Sequence, residues 1–525
     1  MEEKEEISAR LIAQDKKYIW HPFTQMRDWL KREPIVIVSG RGAVLRDVKG
    51  REYLDANASI WTNLHGHNHP KINAAIRRQL GKIAHTSALG LANEPASRLA
   101  AELVAAANPG GGRCADSKHL ATESDRAANS RPRLPKVFFS DDGSTALEVA
   151  LKLAHEFARR TGRSWRPKFL SLQGAYHGDT VGAVSLGHID LFHKAYAGLR
   201  FKCDAVMAPY CYRCPFNRAR PERADAREYR RCHWECVDQV ERKFAAQKKR
   251  GQPYAGFVFE PLVQGAAGLV PQPDGWLRRV AAIARGQGAL LIADEVMTGF
   301  GRTGAADSGR LFACHQEGVQ PDFLCVAKGL TGGYLPMAAT LTTQAVFDAF
   351  LGEYDEFKTF FHGHSFTANP LGAAAALANL ALLDSPSSLR ARRQLEISLR
   401  QELAGLWSLP NVGDARQVGL VAGIELVKDW RTRAPFELRE RAGLRVCEAM
   451  VRRGVLTRPI GNVVVLMPPY CTTPAQVRRM VSVLREAITE VHGGGPVRAG
   501  RPRGVRRTFL KPELSVRGYR AKPDA

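Results

Sequence analysis

Short apolar runs that alternate with stretches of helical periodicity constrain the fold of this chain more than any other feature. The clearest runs are Val137-Phe-Phe, Lys168-Phe-Leu-Ser-Leu, Phe257-Val-Phe, Ala289-Leu-Leu-Ile-Ala and Phe323-Leu-Cys-Val-Ala. Such short strands between helices favour an α/β fold, in which a mainly parallel sheet is covered by helices on both faces. In sheets of this kind ligands bind at the carboxyl ends of the strands. Ligand-binding or catalytic residues are therefore expected directly after these runs.

The chain of 525 residues is long enough for two hydrophobic cores. We predict a large domain at 65–350 and a smaller α+β domain at 351–492, which the N-terminal segment 1–64 joins. Three segments are predicted to stand apart from these cores: a flexible insertion at 110–135, a Cys-containing insertion at 208–240 and a basic, disordered tail at 493–525.

The formal net charge of +24 raises the question of a nucleic-acid partner. Part of this charge lies in the tail, and no zinc finger, helix-turn-helix or aromatic-basic platform accompanies it. A solvated tail on an Arg-rich chain explains the charge without nucleic acid, so a basic nucleic-acid-binding protein is kept only as a remote alternative.

Hydropathy predicts a cytoplasmic protein without a membrane span. No apolar run approaches the roughly 20 residues that cross a bilayer. The first residues, Met1-Glu-Glu-Lys-Glu-Glu, are charged and lack the apolar stretch of a secretory signal.

Four of the ten cysteines form a cluster in the sequence. Cys211 and Cys214 have the spacing of metal ligands, and Cys232 and Cys236 follow at a looser spacing. A structural metal is one interpretation, and reduced thiols that bind nothing are the other. We assign no metal ligand on this basis.

Two charged residues follow predicted strands directly. Asp294 ends the run Ile292-Ala-Asp, and Lys328 ends the run Val326-Ala-Lys about one strand-helix unit later. If these strands are adjacent and parallel, the two side chains point into one cleft, although a structural ion pair would look similar. Glycines follow both residues, and glycine-rich backbone allows a flat, bulky ligand to approach the chain closely.

A third segment, Ser140-Asp-Asp-Gly-Ser-Thr, opens a predicted helix. The free N–H groups at a helix N-terminus form an anion site, although the same residues also suit an ordinary helix cap. A phosphate seat, a strand-end Asp and a strand-end Lys together are far more specific than any one of them.

These motifs carry a family resemblance. Asp294-Glu-Val-Met-Thr-Gly-Phe-Gly-Arg-Thr-Gly and Lys328-Gly-Leu-Thr-Gly-Gly closely resemble the signature of the class III aminotransferases. The chain is more narrowly similar to the branch of that family that aminates 8-amino-7-oxononanoate in biotin biosynthesis. The segments that carry the narrower likeness are Trp20-His-Pro-Phe-Thr-Gln-Met, Trp61-Thr-Asn-Leu-His-Gly-His, Tyr176-His-Gly-Asp-Thr, Glu260-Pro-Leu-Val-Gln-Gly, His362-Gly-His-Ser-Phe and Thr457-Arg-Pro.

The resemblance implies a type I fold of pyridoxal-phosphate-dependent transferases, with a seven-stranded sheet in the large domain, and an active homodimer. It implies that Lys328 binds pyridoxal 5'-phosphate as a Schiff base and moves the proton, and that Asp294 pairs with the pyridine nitrogen. The other implied cofactor contacts are Gly143, Ser144, Tyr176, His364 and Ser365, of which Ser365 would come from the partner subunit. Tyr176 would also be catalytic, and the implied substrate contacts are Phe23, Ile60, Trp61, Tyr176, Gly363 and Arg458.

Two residues depart from one branch of this family and leave the amino donor open. Ile60 stands where some members carry the first of two tryptophans, and Phe23 stands where those members carry a tyrosine. Members with the Trp/Tyr pattern use S-adenosylmethionine, whereas some relatives closer to the pattern here use lysine. We expect 8-amino-7-oxononanoate as acceptor and S-adenosylmethionine as donor. Lysine as donor, or another class III enzyme for ω-amino acids or diamines, is the alternative.

Overall fold

The computed structural model of the chain describes residues 2–108, 133–304 and 310–493. The predicted insertion at 110–135 and the predicted tail at 493–525 lie almost wholly outside the described residues.

The described residues form eighteen strands, numbered in chain order. They are β1 Ile37–Arg41, β2 Val44–Asp47, β3 Glu52–Asp55, β4 Lys136–Ser140, β5 Lys168–Leu172, β6 Asp204–Val206, β7 Tyr254–Phe259, β8 Val263–Gln264, β9 Val270–Pro271, β10 Leu290–Asp294, β11 Phe323–Val326, β12 Ala338–Thr342, β13 Val412–Val418, β14 Val421–Asp429, β15 Ala434–Pro435, β16 Val455–Leu456, β17 Pro459–Ile460 and β18 Val463–Leu466. The α-helices span Glu2–Tyr18, Met26–Lys31, Pro70–Leu80, Glu94–Ala107, Gly143–Arg160, Val181–Leu186, Asp190–His193, Ala226–Tyr229, Glu235–Lys249, Trp276–Gly286, Gln344–Asp348, Pro370–Leu383, Pro386–Ala404, Ala442–Arg452 and Pro474–His492, and a single helical turn lies at Ala58–Trp61.

A seven-stranded sheet in the order β4-β12-β11-β10-β7-β5-β6 forms the centre of the molecule. Strand β12 runs antiparallel to both of its neighbours, and the other pairs are parallel. This confirms the predicted α/β fold with a mainly parallel seven-stranded sheet. Strand β12 was not predicted from the sequence, because its Ala and Thr residues are small and give only a weak apolar signal.

Helices cover both faces of this sheet, which explains why its central strands read as continuous apolar runs. Alternate residues of β10 face opposite ways: Leu290 and Ile292 pack with the Gly143–Arg160 helix. Leu291 and Ala293 pack in the other core, together with the helices Glu235–Lys249 and Trp276–Gly286. Burial on both faces leaves the carboxyl edge of the sheet as the place where polar side chains can meet.

A second sheet, β13-β14-β18-β17 with β15 at its side, is antiparallel and belongs to the C-terminal part of the chain. The N-terminal strands β1, β2 and β3 form another small sheet, and β3 pairs in parallel with β16. This pairing supports the prediction that residues 1–64 join the small domain. The helix Pro370–Leu383 packs against Pro70–Leu80 and Glu94–Ala107, and so it argues for a boundary nearer residue 384 than the predicted 350. The division into domains stays a prediction.

The predicted Cys-containing insertion packs tightly against the second sheet. Arg213 forms an ion pair with Glu425 of β14 at 2.5 Å, and Arg223 donates to the carbonyl of Val412 at 2.7 Å. Cys211 and Cys236 are buried. None of the helices in the described ranges has both the length and the apolar character that a membrane span requires.

Candidate active site

Asp294 and Lys328 meet at the carboxyl edge of the large sheet. Asp294 is the last residue of β10, and Lys328 lies two residues beyond the end of β11, the adjacent parallel strand. Burial lowers the pKa of Lys328, and the charges of Asp294 and Glu260 only partly oppose this effect. A lowered pKa increases the fraction of free amine, which is the form that attacks a carbonyl and accepts a proton.

His177 holds the carboxylate of Asp294 in place. Its Nδ1 lies 2.7 Å from Oδ2 of Asp294, and its side chain is fully buried. Burial alone would lower the pKa of His177, but the hydrogen bond and the charge of Asp294 outweigh it and raise the pKa. No sequence pattern predicts this contact, although His177 lies next to Tyr176 in the sequence.

Gly143 and Ser144 form the first turn of the Gly143–Arg160 helix. Asp142 caps the helix by accepting from the amide of Thr145 at 2.9 Å. The first amides of a helix have no partner within the helix, and they point outward as an anion site. A Cβ at Gly143 would lie 2.7 Å from Cγ1 of Val296, so only glycine fits between this turn and the segment after Asp294.

The loop that carries Tyr176 approaches the same helix start. Gly178 has φ +125°, and a Cβ there would lie 2.2 Å from Oγ of Ser144. The amide of Asp179 donates to that Oγ at 3.3 Å. Gly178 therefore allows the loop to close over the predicted phosphate seat.

Tyr176 belongs to an aromatic wall. Its ring is parallel to that of His193 within 7° at 6.2 Å, and it meets Phe192 edge-on at 6.1 Å and Phe23 at 6.4 Å. The hydroxyl of Tyr176 donates to Asp179 at 2.6 Å. Burial, followed by the contact with Asp179, raises the pKa of Tyr176, so the phenol keeps its proton at neutral pH. Phe192 and His193 were not predicted, because no local motif marks them.

Ile60 and Trp61 lie on a left-handed turn. Ala58, Ser59, Ile60 and Trp61 have φ values of 43°, 47°, 64° and 69°. None of them is glycine, and left-handed helical backbone costs L-residues about 1–2 kcal/mol each. The turn brings the ring of Trp61 to 4.7 Å from Nζ of Lys328, while Ile60 remains 44% exposed.

Glu260 is a buried carboxylate between these groups. It accepts from the amide of Gly265 at 2.7 Å and from the amide of Tyr176 at 3.4 Å. Burial raises the pKa of Glu260 to about 7, with the charge of Asp294 adding to the effect and His177 opposing it.

The remaining predicted site residues lie on the surface of the single chain rather than in the buried group around Lys328. Arg458 is exposed between β16 and β17. Gly363 and Ser365 are exposed, and His364 is half-buried with Nδ1 3.8 Å from Asp141.

The four clustered cysteines are not grouped as metal ligands in the described part of the chain. Across 2–108, 133–304 and 310–493, no group of three or more His, Cys, Asp or Glu side chains is arranged to hold a metal ion. The geometry therefore does not support the structural-metal interpretation of Cys211, Cys214, Cys232 and Cys236.

Comparison with protein families gives a match to the model described as "Aminotransferase class-III" over residues 26–488. A relative from Geobacter sulfurreducens, named adenosylmethionine-8-amino-7-oxononanoate aminotransferase, is 45% identical over 480 residues, which cover 91% of this chain and 97% of the relative. A relative of the same name from Methanocaldococcus jannaschii is 40% identical over 481 residues, 91% of this chain and 97% of the relative.

Solved structures agree with these relatives. The crystal structure of adenosylmethionine-8-amino-7-oxononanoate aminotransferase from Methanocaldococcus jannaschii has a TM-score of 0.79 and 37% identity, covering 92% of this chain and 99% of that one. An amine transaminase from an uncultivated Pseudomonas species, in a pyridoxal-phosphate-bound form, has a TM-score of 0.77 and 31% identity, covering 90% and 99%.

Proposed function

Because the chain belongs to the class-III aminotransferases, we propose that it transfers an amino group to 8-amino-7-oxononanoate and so forms 7,8-diaminononanoate for biotin biosynthesis. We further propose S-adenosylmethionine as the amino donor. The names of relatives 40–45% identical over about nine-tenths of the chain support both substrates. The observation that carries the enzymatic part of the proposal is the meeting of Lys328, Asp294 and His177 at the edge of the sheet.

The residues present fit pyridoxal 5'-phosphate. The amides at the start of the Gly143–Arg160 helix suit a phosphate, and glycine at 143 lets this turn pack closely against Val296. We propose that Gly143 and Ser144 hold the phosphate, that Tyr176 borders the ring and that Lys328 binds the aldehyde carbon. When bound, this cofactor supplies the electron sink that transamination needs.

Lys328 is the proposed base and acid of the reaction. Its ε-amine would take a proton from the carbon that bears the donor amine and deliver it to the cofactor within the same half-reaction, and it would move a proton in the opposite direction when the acceptor is aminated. Burial supports this role, since it lowers the pKa of the amine and keeps bulk water from competing for the proton.

Asp294 is proposed to face the ring nitrogen of the cofactor. A carboxylate there favours the protonated nitrogen, which makes the ring a better acceptor of electrons. His177, hydrogen-bonded to the other side of the carboxylate, fixes its orientation.

We propose that the substrates contact a group of residues near Tyr176 and Lys328. Phe23, Ile60, Trp61 and Tyr176 offer apolar and aromatic surface for the chain of the acceptor. Arg458 is proposed to bind a substrate carboxylate, because a guanidinium matches a carboxylate with two parallel hydrogen bonds.

We propose that the enzyme is a homodimer, in which Gly363, His364 and Ser365 of each chain complete the partner's site. Exposed aromatic residues on this segment support an interface, since Phe361 is 69% exposed and Phe366 is 59% exposed. A cytoplasmic location is also proposed. It is supported by the nine unpaired cysteines of the described residues, which suit a reducing compartment.

Lysine is the alternative donor. Ile60 and Phe23 favour it, because an aliphatic side chain and a ring without a hydroxyl offer less stacking and one hydrogen bond fewer than Trp and Tyr.

A panel of amino donors tests the proposal. Purified enzyme with 8-amino-7-oxononanoate receives S-adenosylmethionine, lysine or common amino acids, and diaminononanoate is measured by mass. We expect product with S-adenosylmethionine. Product with lysine alone would transfer the assignment to the alternative donor, and no product with any donor would refute the biotin-pathway substrate.

A further inference from the structure

A buried carboxylate anchors the left-handed turn at Ala58–Trp61. Asp55, the last residue of β3, is 3% exposed. Its Oδ1 accepts from the amides of Asn57 and Ser59, each at 3.2 Å. Its Oδ2 accepts from the hydroxyl of Ser59 at 2.9 Å and lies 3.0 Å from Nε2 of His67. Burial alone would raise the pKa of Asp55, but the hydrogen bonds from His67 and Ser59 outweigh it and lower the pKa.

Asn57 transmits this anchoring to the indole of Trp61. Its Oδ1 accepts from Nε1 of Trp61 at 2.8 Å, and its carbonyl accepts from the amide of Trp61 at 2.9 Å. On the other side of the ring, a Cβ at Gly265 would lie 3.2 Å from Cζ3 of Trp61. The hydrogen bond from Nε1 therefore fixes the orientation of the ring, and the lack of a side chain at Gly265 leaves room for it.

We infer that Asp55 is a positioning residue that sets substrate recognition by holding the turn of Ile60 and Trp61 against Lys328, an inference that rests on the proposed function. Asp55 does not itself touch the reacting atoms. It acts through the backbone of Asn57 and Ser59, and through them it fixes the wall of the substrate opening.

The physical reason is that this backbone is unfavourable without an external partner. Non-glycine residues avoid positive φ, and the branched Cβ of Ile60 makes its φ of 64° a clear outlier. Asp55 supplies charge-assisted hydrogen bonds that compensate for this cost. Loss of the carboxylate therefore releases the turn, while β3 and its pairing with β16 remain.

The experiment compares Asp55→Asn with Asp47→Asn in the full-length enzyme. Asp47 ends β2 in the same small sheet, is 2% exposed and accepts from the amide and Nε of Arg51 and from the hydroxyl of Tyr53. It is thus a matched buried carboxylate with no contact to the turn. Hydrogen exchange of the peptide that spans residues 55–67, read by mass spectrometry with and without cofactor, reports the turn directly.

We expect both variants to lose thermal stability, but only Asp55→Asn to speed exchange in this peptide. In Asp55→Asn the KM for the amino acceptor should rise about tenfold, with a smaller change in kcat, as is typical for the loss of a hydrogen bond to a charged group. Asp47→Asn should keep the wild-type KM.

A rescue variant separates positioning from simple destabilisation. Glycine adopts positive φ without penalty, so adding Ala58→Gly to Asp55→Asn should bring the raised KM part of the way back to the wild-type value.

Normal exchange of the 55–67 peptide in Asp55→Asn, or faster exchange with an unchanged KM, would overturn the inference. Should Asp55→Asn not fold, Asn57→Ala must show the same rise in KM, and a wild-type KM there overturns it equally. A wild-type enzyme without cofactor absorbance would refute the proposed function instead, and the exchange data without cofactor would still decide whether Asp55 holds the turn.

Discussion

The carboxyl edge of the large sheet and the turn at Ala58–Trp61 meet at Lys328, but their backbones are built in opposite ways. Asp294 and Lys328 are placed by regular parallel strands, whose hydrogen-bond register fixes where each strand ends. Ile60 and Trp61 are placed by an unfavourable backbone that depends on Asp55, Asn57 and His67. The comparison indicates that the proposed chemistry of the site rests on regular structure and its proposed substrate recognition on irregular structure.

Lys328→Ala tests the regular edge most severely. The same ε-amine is proposed to bind the cofactor and to move the proton, so we expect kcat/KM to fall by at least about 10⁴-fold. The visible absorbance band of the covalently bound cofactor should disappear. Steady-state kinetics and absorption spectra measure both effects.

Lys168→Ala is the control, because Lys168 begins β5 at the opposite edge of the sheet. It should keep both the absorbance band and the activity. A Lys328→Ala enzyme with wild-type turnover would contradict the role proposed for Lys328.

Asp294→Asn removes a charge from the same edge and keeps the shape of the side chain. We expect kcat to fall by about 10²–10³-fold, the range typical when one preorganised electrostatic contact is lost. The matched variant is Asp322→Asn: Asp322 precedes β11, accepts from the amide of Leu291 at 2.8 Å and lies at the other end of the strands. Equal losses of kcat in the two variants would show that the effect comes from folding and not from the site.

The sequence predicts the regular edge of the sheet better than it predicts the irregular segments. The runs that became β10 and β11 carried Asp294 and Lys328 in local patterns, so the fold class and the placement of these two residues at one edge of the sheet were predictable. Strand β12 was not, because its residues are small, and the contact of His177 with Asp294 joins residues 117 positions apart. The left-handed backbone of Ile60 was not predicted either, because a β-branched residue is unexpected at positive φ, although the contacts of Asp55 with Asn57 and Ser59 are local in sequence. Arg458 and Ser365 are exposed in the single chain, so their roles at the site stay predictions.

Glu260→Gln tests the charge within the buried group. Because burial raises the pKa of Glu260 to about 7, the folded protein binds a proton that the unfolded chain releases near its ordinary value of 4.5. The native state then holds more protons between these values, so this carboxyl makes stability fall as pH rises from about 4.5 to 7. A shift of this size corresponds to about 3 kcal/mol.

In Glu260→Gln this part of the pH dependence should vanish, which thermal melts of cofactor-free protein between pH 5 and about 8 would measure. Glu425→Gln is the comparison, because Glu425 is buried but lies 2.8 Å from Arg416, and the charges of Arg416 and Arg213 outweigh burial and lower its pKa. Unchanged slopes in Glu260→Gln would show that Glu260 does not titrate in this window.

Arg458→Ala tests the irregular side of the site at an exposed residue. We expect the KM for 8-amino-7-oxononanoate to rise about 10- to 100-fold, with kcat nearly unchanged, because a hydrogen-bonded charge pair is lost in binding and not in the chemical step. Arg458→Lys should recover only part of the affinity, since an ammonium cannot pair with both carboxylate oxygens in one plane.

Arg452→Ala is the control, because Arg452 is exposed just before β16 and pairs with Glu490 at 2.6 Å. If the two alanine variants bind the keto acid equally well, the carboxylate must be held by another residue. The division between a regular catalytic edge and irregular recognition segments would then rest on the Ala58–Trp61 turn alone.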